Sequence, residues 1–108
     1  MAAPQCLFVV SKCIDGDPSA AHLLKVALWA HRRGGSASVF LIDGAVETGQ
    51  RATPIILRQL ASLGVPIMAT ARVAHRLRRL WPSVAAFTAS EDDLARLILD
   101  HDVRTVWY

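Results

Sequence analysis

At 108 residues, the chain has the length of one small domain, with room for one hydrophobic core but not for two. Apolar residues make up 53% of the sequence and charged residues 19%, a balance that excludes a disordered chain. It predicts strands buried on both faces, apolar surface covered by partner subunits, or both. The net charge of +3 favours anionic partners in general, but the sequence lacks the basic, aromatic-rich stretches that bind nucleic acid.

The sequence also argues against a membrane protein and against a metal site. No apolar run approaches the ~18 residues of a membrane-spanning helix, and residues 1–5 do not resemble a signal peptide. We therefore expect a cytoplasmic protein with no membrane partner. Cys6 and Cys13 stand seven positions apart, and no Cys or His spacing is typical of zinc sites, so we predict no metal and no structural disulfide. No sequence motif implies a cofactor.

The chain begins with a strand and a helix. The short, β-branched run Cys6–Val10 predicts a strand buried on both faces. Asp17 is a suitable cap for a helix that starts at Pro18 and runs to about Arg33, where two glycines end it. The apolar stripe of this helix consists of Leu23, Leu24, Ala27, Leu28 and His31.

A second strand and helix follow. Val39–Ile42 predicts the strand, which the turn pair Asp43-Gly44 ends. After a loop over residues 44–52, the pair Thr53-Pro54 begins a helix that ends at Gly64.

The rest of the chain repeats this alternation. Val65–Ala69 predicts the third strand, Arg72–Trp81 the third helix and Val84–Phe87 the fourth strand. Ser90 caps a fourth helix with Asp93 completing a capping box, and its inward residues are Leu94, Leu97 and Ile98; Thr105–Tyr108 is the fifth strand. Alternation at this spacing requires crossover connections, which predicts one α/β domain over residues 1–108, with about five mostly parallel strands and helices on both faces.

In such sheets, ligands bind beyond the carboxyl ends of the strands, near free helix amides. Four segments lie there: residues 11–17, 43–48, 70–72 and 88–90. Cys13 lies between a strand end and a helix start, beside Lys12, a setting typical of reactive thiols. His22 is the candidate base toward it. The alternative is that Cys13 is a small loop side chain with no chemical role.

Two further candidates are charged. Asp43 has the chemistry of an acid or base, although turn formation alone explains an Asp-Gly pair. Arg72 stands close enough to a strand end to bind an anion, whereas Arg76 and Arg79, on the same helix face, are expected to be solvated. Large aromatic residues off the inner stripes suggest subunit contacts, or else they wrap helix edges within one subunit: Trp29, Trp81, Trp107 and Tyr108.

Four stretches resemble the DsrE/DsrF/DsrH family, which includes the TusB, TusC and TusD subunits of bacterial sulfur relay. They are residues 9–11, 38–46, 64–67 and 93–107, of which VFLIDGAV is the most specific, and the last stretch looks most like the DsrH/TusB branch. The resemblance implies a small cytosolic flavodoxin-like domain that forms trimers or hexamers, with itself or with paralogues. It also implies transfer of persulfide sulfur between cysteines, with sulfur-carrier proteins as partners.

The chain departs from this family at one position. The sulfur-carrying cysteine of active members follows the third strand, and the matching residue here is Thr70, whose hydroxyl cannot form a persulfide. One hypothesis is a sulfur-trafficking protein whose thiol has moved to Cys13. Another is a non-catalytic scaffold or regulatory subunit, or a protein that binds a small anion or nucleotide at the old site. A phosphate-handling enzyme is a third, although no Gly-rich phosphate loop supports it.

Overall fold

A computed structural model describes residues 5–14, 16–46 and 53–108 of the chain. The strands are β1 (Gln5–Val10), β2 (Ser36–Leu41), β3 (Ile67–Ala69), β4 (Phe87–Thr88) and β5 (Val103–Trp107). The helices are α1 (Pro18–Arg32), α2 (Ile55–Ser62), α3 (Ala71–Leu80) and α4 (Glu91–Leu99). Most of the predicted loop over residues 44–52 lies outside the described residues.

The five strands form one sheet in the order β4-β3-β2-β1-β5, and every neighbouring pair is parallel. This confirms the predicted α/β architecture with a flavodoxin-like arrangement. From β1 to β4 the chain moves across the sheet in one direction, and then it returns past β1 to form β5. Because parallel crossovers are right-handed, this path places α1, α2 and α3 on one face of the sheet and α4 on the other.

The two faces carry separate cores. The larger core joins α1, α2 and α3 to Phe8 and Val10 of β1 and to their neighbours in β2 and β3. The smaller core packs Leu94 of α4 against Leu7, Val9, Phe40 and Ile42. Within the described residues, one helix therefore covers the second face of a five-stranded sheet.

Two of the three predicted helix caps are present, whereas the predicted cap at Thr53 is wrong, because Pro54 is the N-cap residue of α2 and offers no side-chain hydrogen bond. The Asp17 carboxylate accepts a hydrogen bond from the Ser19 amide at 2.9 Å, which fixes the start of α1. At α4, the Ser90 hydroxyl accepts from the Asp93 amide at 3.1 Å, and the Asp93 carboxylate accepts from the Ser90 amide at 2.9 Å. This reciprocal pair confirms the capping box.

Three predictions about side chains and strand limits were wrong. Trp81 is fully buried in the larger core. Trp81 stands four residues after Leu77 and eight after Val73, both of which are buried, and its amide still donates to the Leu77 carbonyl at 2.7 Å, so the inner stripe of α3 extends to Trp81 although the helix ends at Leu80. The fourth strand lies at Phe87–Thr88, since Val84 forms a turn to the Trp81 carbonyl and is buried outside the sheet. Ile98 is 38% exposed and does not face inward.

Candidate functional site

The sheet has a point at which successive connections leave on opposite faces. The chain leaves β3 for α3 on one face, and it leaves β4 for α4 on the other. A cavity of about 740 Å³ opens between them at the carboxyl edge of the sheet. Crevices at such switch points are the usual ligand sites of open α/β sheets.

Three of the residues expected to bind ligands line this cavity, namely Asp43, Thr70 and Arg72. Thr70 is half-buried directly after β3, while Arg72 is exposed in the first turn of α3. Asp43 is exposed after β2, and its φ of +49° lies in the left-handed region that a tight Asp-Gly turn requires. Segments that are distant in sequence therefore meet because parallel strands end at one edge.

The two helix starts at the cavity differ. Thr70 is the N-cap residue of α3, yet its side chain makes no capping hydrogen bond within the described part of the chain. The first amides of α3 thus point toward the cavity mouth without a side-chain acceptor. By contrast, α4 is closed by its own capping box, and hydrogen bonds from the Ser90 amide and hydroxyl lower the pKa of Asp93.

These starts give the cavity two unlike sides. The α3 side presents Arg72 and uncapped amides, which favour negative charge. The α4 side presents the carboxylates of Glu91 and Asp93, whose charges favour hydrogen-bond donors. A small anion therefore has its best position on the α3 side.

Sequence reasoning missed one contact at this site. The Arg78 guanidinium donates a hydrogen bond to the Thr88 hydroxyl at 2.9 Å and so ties α3 to β4 across the cavity wall. Because Thr88 accepts this bond, its own hydroxyl hydrogen is left for a ligand or solvent. No spacing rule connects an arginine on a helix with a strand ten residues later, so only the fold reveals this pair.

The remaining candidates do not line this cavity. Lys12 is exposed and Cys13 is half-buried, both in the loop between β1 and α1, and His22 is exposed in the second turn of α1. This loop is bonded to its neighbour: the Ile14 amide donates to the Ala45 carbonyl at 3.1 Å, and the Gly44 amide donates to the Ser11 carbonyl at 3.2 Å. The cysteine loop therefore lies beside the cavity without forming its wall.

The described residues provide neither a metal site nor a membrane-spanning helix. Among residues 5–14, 16–46 and 53–108, no three His, Cys, Asp or Glu side chains come close enough to hold a metal ion. None of the helices in those ranges has the length and apolar character needed to span a membrane.

Together, the parallel sheet, its helices and the edge cavity define an α/β protein of the flavodoxin-like class. No protein-family model matches the sequence. No curated protein matches it significantly. Among solved structures, the chain is similar to the ychN protein from E. coli, with a TM-score of 0.71 and 17% identity over 100% of both chains. The comparison supports the α/β fold expected from the sequence. At this identity, the likeness extends to fold alone.

Proposed function

We propose that this chain is a DsrE-type protein of intracellular sulfur trafficking that acts as an accessory subunit, binding a small anion at the edge cavity. One observation carries this proposal: Thr70 stands at the uncapped start of α3, in the cavity and beside Arg72. The anion-favouring surroundings are kept where the family's cysteine would stand, but a hydroxyl replaces the thiol. A hydroxyl oxygen forms no persulfide, so binding remains while sulfur transfer at this position is lost.

A gain-of-function variant tests the position. In a Cys6→Ser, Cys13→Ser background, Thr70→Cys is exposed to a small-molecule persulfide donor and its intact mass is measured. We expect a gain of one sulfur that a reductant removes. The matched control is Ser36→Cys, an exposed residue at the opposite edge of the sheet. Equal sulfur uptake by both variants would show that the cavity has no special affinity for sulfur anions.

Anion binding is tested separately by titrating thiosulfate and phosphate while recording amide NMR shifts. We expect the shifts to concentrate on residues 70–73, and Arg72→Gln to weaken binding. Arg79→Gln is the control, because it removes the same charge from the last turn of the same helix, away from the cavity. If both variants bind alike, net charge and not the cavity attracts the anion.

A second candidate function rests on Cys13, a half-buried thiol at the same sheet edge, in a loop bonded to the cavity loop at Gly44 and Ala45. In this mechanism, the Cys13 thiolate attacks the outer sulfur of a donor persulfide. A new sulfur–sulfur bond forms on Cys13, the donor's sulfur–sulfur bond breaks, and the donor leaves as a thiol. Wild-type protein that gains one sulfur, with the gain absent only from Cys13→Ser, would make Cys13 the carrier and refute the accessory role.

We also propose that the chain associates with further copies of itself or with paralogous subunits. In the sheet register, Phe87, Met68, Phe40, Val9 and Trp107 form one row on the α4 face. The middle of the row is buried under α4, but Phe87 is 66% exposed at one end and Trp107 51% at the other. Exposed aromatic side chains at the two edges of a sheet are candidates for subunit contacts, because each buries a large area at low entropy cost.

Sedimentation of paired variants tests this association. Phe87→Ser removes an apolar side chain from the β4 edge, and we expect the oligomer to dissociate. Ile55→Ser is the control, since Ile55 has the same exposure of 66% but lies on α2, on the other face of the sheet. A wild-type mass of one subunit at micromolar concentration, or equal dissociation by both variants, would contradict the proposal.

A further inference from the structure

The residue that follows β5 contacts both ends of the loop that carries Cys13. At the beginning of the loop, the Tyr108 carbonyl accepts hydrogen bonds from the Ser11 amide at 2.6 Å and from the Ser11 hydroxyl at 3.0 Å. At the end of the loop, the Tyr108 hydroxyl donates to the Asp17 carboxylate, at 3.1 Å to Oδ2 and 3.3 Å to Oδ1. One residue thus bridges the two ends of a loop from which it is 91 to 97 positions away.

Cys13 lies within the loop that this bridge closes. The Asp17 amide donates to the Cys13 carbonyl at 3.0 Å. Asp17 therefore contacts both the Tyr108 hydroxyl and the backbone of the cysteine. Gly16 is packed near the thiol, since a Cβ built at that position would stand 3.7 Å from the Cys13 sulfur. Opening of the loop at Asp17 therefore displaces the backbone beside this sulfur.

The loop and Tyr108 are also held by contacts between backbone atoms. The loop bonds to Gly44 and Ala45 through its backbone, and the Tyr108 amide donates to the Val9 carbonyl at 2.8 Å. The side-chain contact between the Tyr108 hydroxyl and Asp17 is exposed to solvent and carries no such backbone support. It is the contact most easily broken without unfolding the sheet.

We propose that Tyr108 is a strap that holds the cysteine loop closed and limits access to the Cys13 thiol. With the strap in place, the thiol stays half-buried; when the tyrosine swings away, the loop opens and Cys13 meets larger reagents. The strap is independent of the anion-binding proposal, because none of its residues lines the edge cavity. It regulates access to the cysteine whatever chemistry the cysteine performs.

The experiment measures alkylation of both cysteines in the full chain, by mass spectrometry of peptides after timed treatment with iodoacetamide. Cys6 lies in β1 and serves as an internal reference for global opening. We expect Tyr108→Phe to raise the alkylation rate of Cys13 relative to that of Cys6 by about fivefold, the change expected from losing one solvent-exposed hydrogen bond. Deletion of Tyr108 also removes the Ser11 contacts and should raise the ratio by on the order of tenfold or more.

Two variants separate the strap from a general loosening of the fold. Trp107→Phe changes the neighbouring aromatic residue, whose side chain lies on the α4 face, and should leave the ratio unchanged. Asp17→Asn keeps a side-chain oxygen for the helix cap but removes the charge that binds the tyrosine hydroxyl, and should raise the ratio. Unchanged ratios in Tyr108→Phe and in the deletion, or equal acceleration of Cys6 and Cys13, would overturn the proposal.

Discussion

Replacing Trp81 distinguishes a core residue from an interface residue. Its side chain is fully buried beside Leu77 and Val84, so Trp81→Ala should lower the free energy of unfolding by about 3–5 kcal/mol. That is a large part of the total stability of roughly 5–15 kcal/mol for a domain of this size. Replacing Trp29 or Trp107 by Ala should lower the free energy of unfolding far less, because each side chain is about half exposed.

Trp81→Phe gives a sharper test, because two effects oppose each other. The smaller ring loses two or three carbon groups, at about 0.8 kcal/mol each, or on the order of 2 kcal/mol. The indole N–H is buried and has no acceptor among the described residues, so its removal relieves a desolvation penalty of about 1–3 kcal/mol. We therefore expect Trp81→Phe to change stability by less than about 1 kcal/mol.

Urea unfolding followed by far-ultraviolet circular dichroism measures both variants, with the m-value checking two-state behaviour. Phe40→Ala is the control, since Phe40 is equally buried, in the smaller core, and carries no polar atom. A loss above about 3 kcal/mol for Trp81→Phe would mean that the N–H is paired. A Trp81→Ala variant that keeps its stability but loses oligomer mass would restore the interface role.

Further predictions concern the caps, the cores and one glycine. Because its folded-state hydrogen bonds lower the pKa of Asp93, its carboxylate stabilises the protein above about pH 4, and this stabilisation disappears as pH falls through the lower folded pKa. Asp93→Asn should therefore reduce the loss of unfolding free energy between about pH 4 and lower pH. An unchanged loss would show that the hydrogen bonds to Asp93 do not cause it. In urea unfolding, Leu24→Ala should lower the free energy of unfolding by about 2–5 kcal/mol, because Leu24 is fully buried. Leu99 is 77% exposed, so Leu99→Ala should lower it by less than about 0.5 kcal/mol in a monomer. Gly34→Ala should cost about 1 kcal/mol, because Gly34 has φ +84° and open space around it, so a cost above about 3 kcal/mol would require a steric clash that the structure does not contain.

Local signals determined much of the fold. The run Cys6–Val10, the cap at Asp17 and the capping box at Ser90 each act within a few residues, so the sequence alone is sufficient to place them. The alternation of strands and helices then requires a parallel sheet. The burial of Trp81 also follows local spacing, since it stands four residues after Leu77, whereas the limits of the fourth strand were wrong because pairing with β3, and not local composition, sets them.

The candidate site, like the fold, was partly predictable from the sequence and partly decided by the tertiary structure. That Asp43, Thr70 and Arg72 stand at strand ends follows from the sequence, because the carboxyl ends of parallel strands share one edge. The strand order was not readable, and it alone places the cavity between β3 and β4 while leaving Cys13 in a neighbouring loop. The Arg78–Thr88 bond and the Tyr108–Asp17 bond likewise depend on which strand ends lie side by side. Sequence fixes what each residue is able to do, whereas contacts between distant segments exist only once long-range packing has brought those segments together.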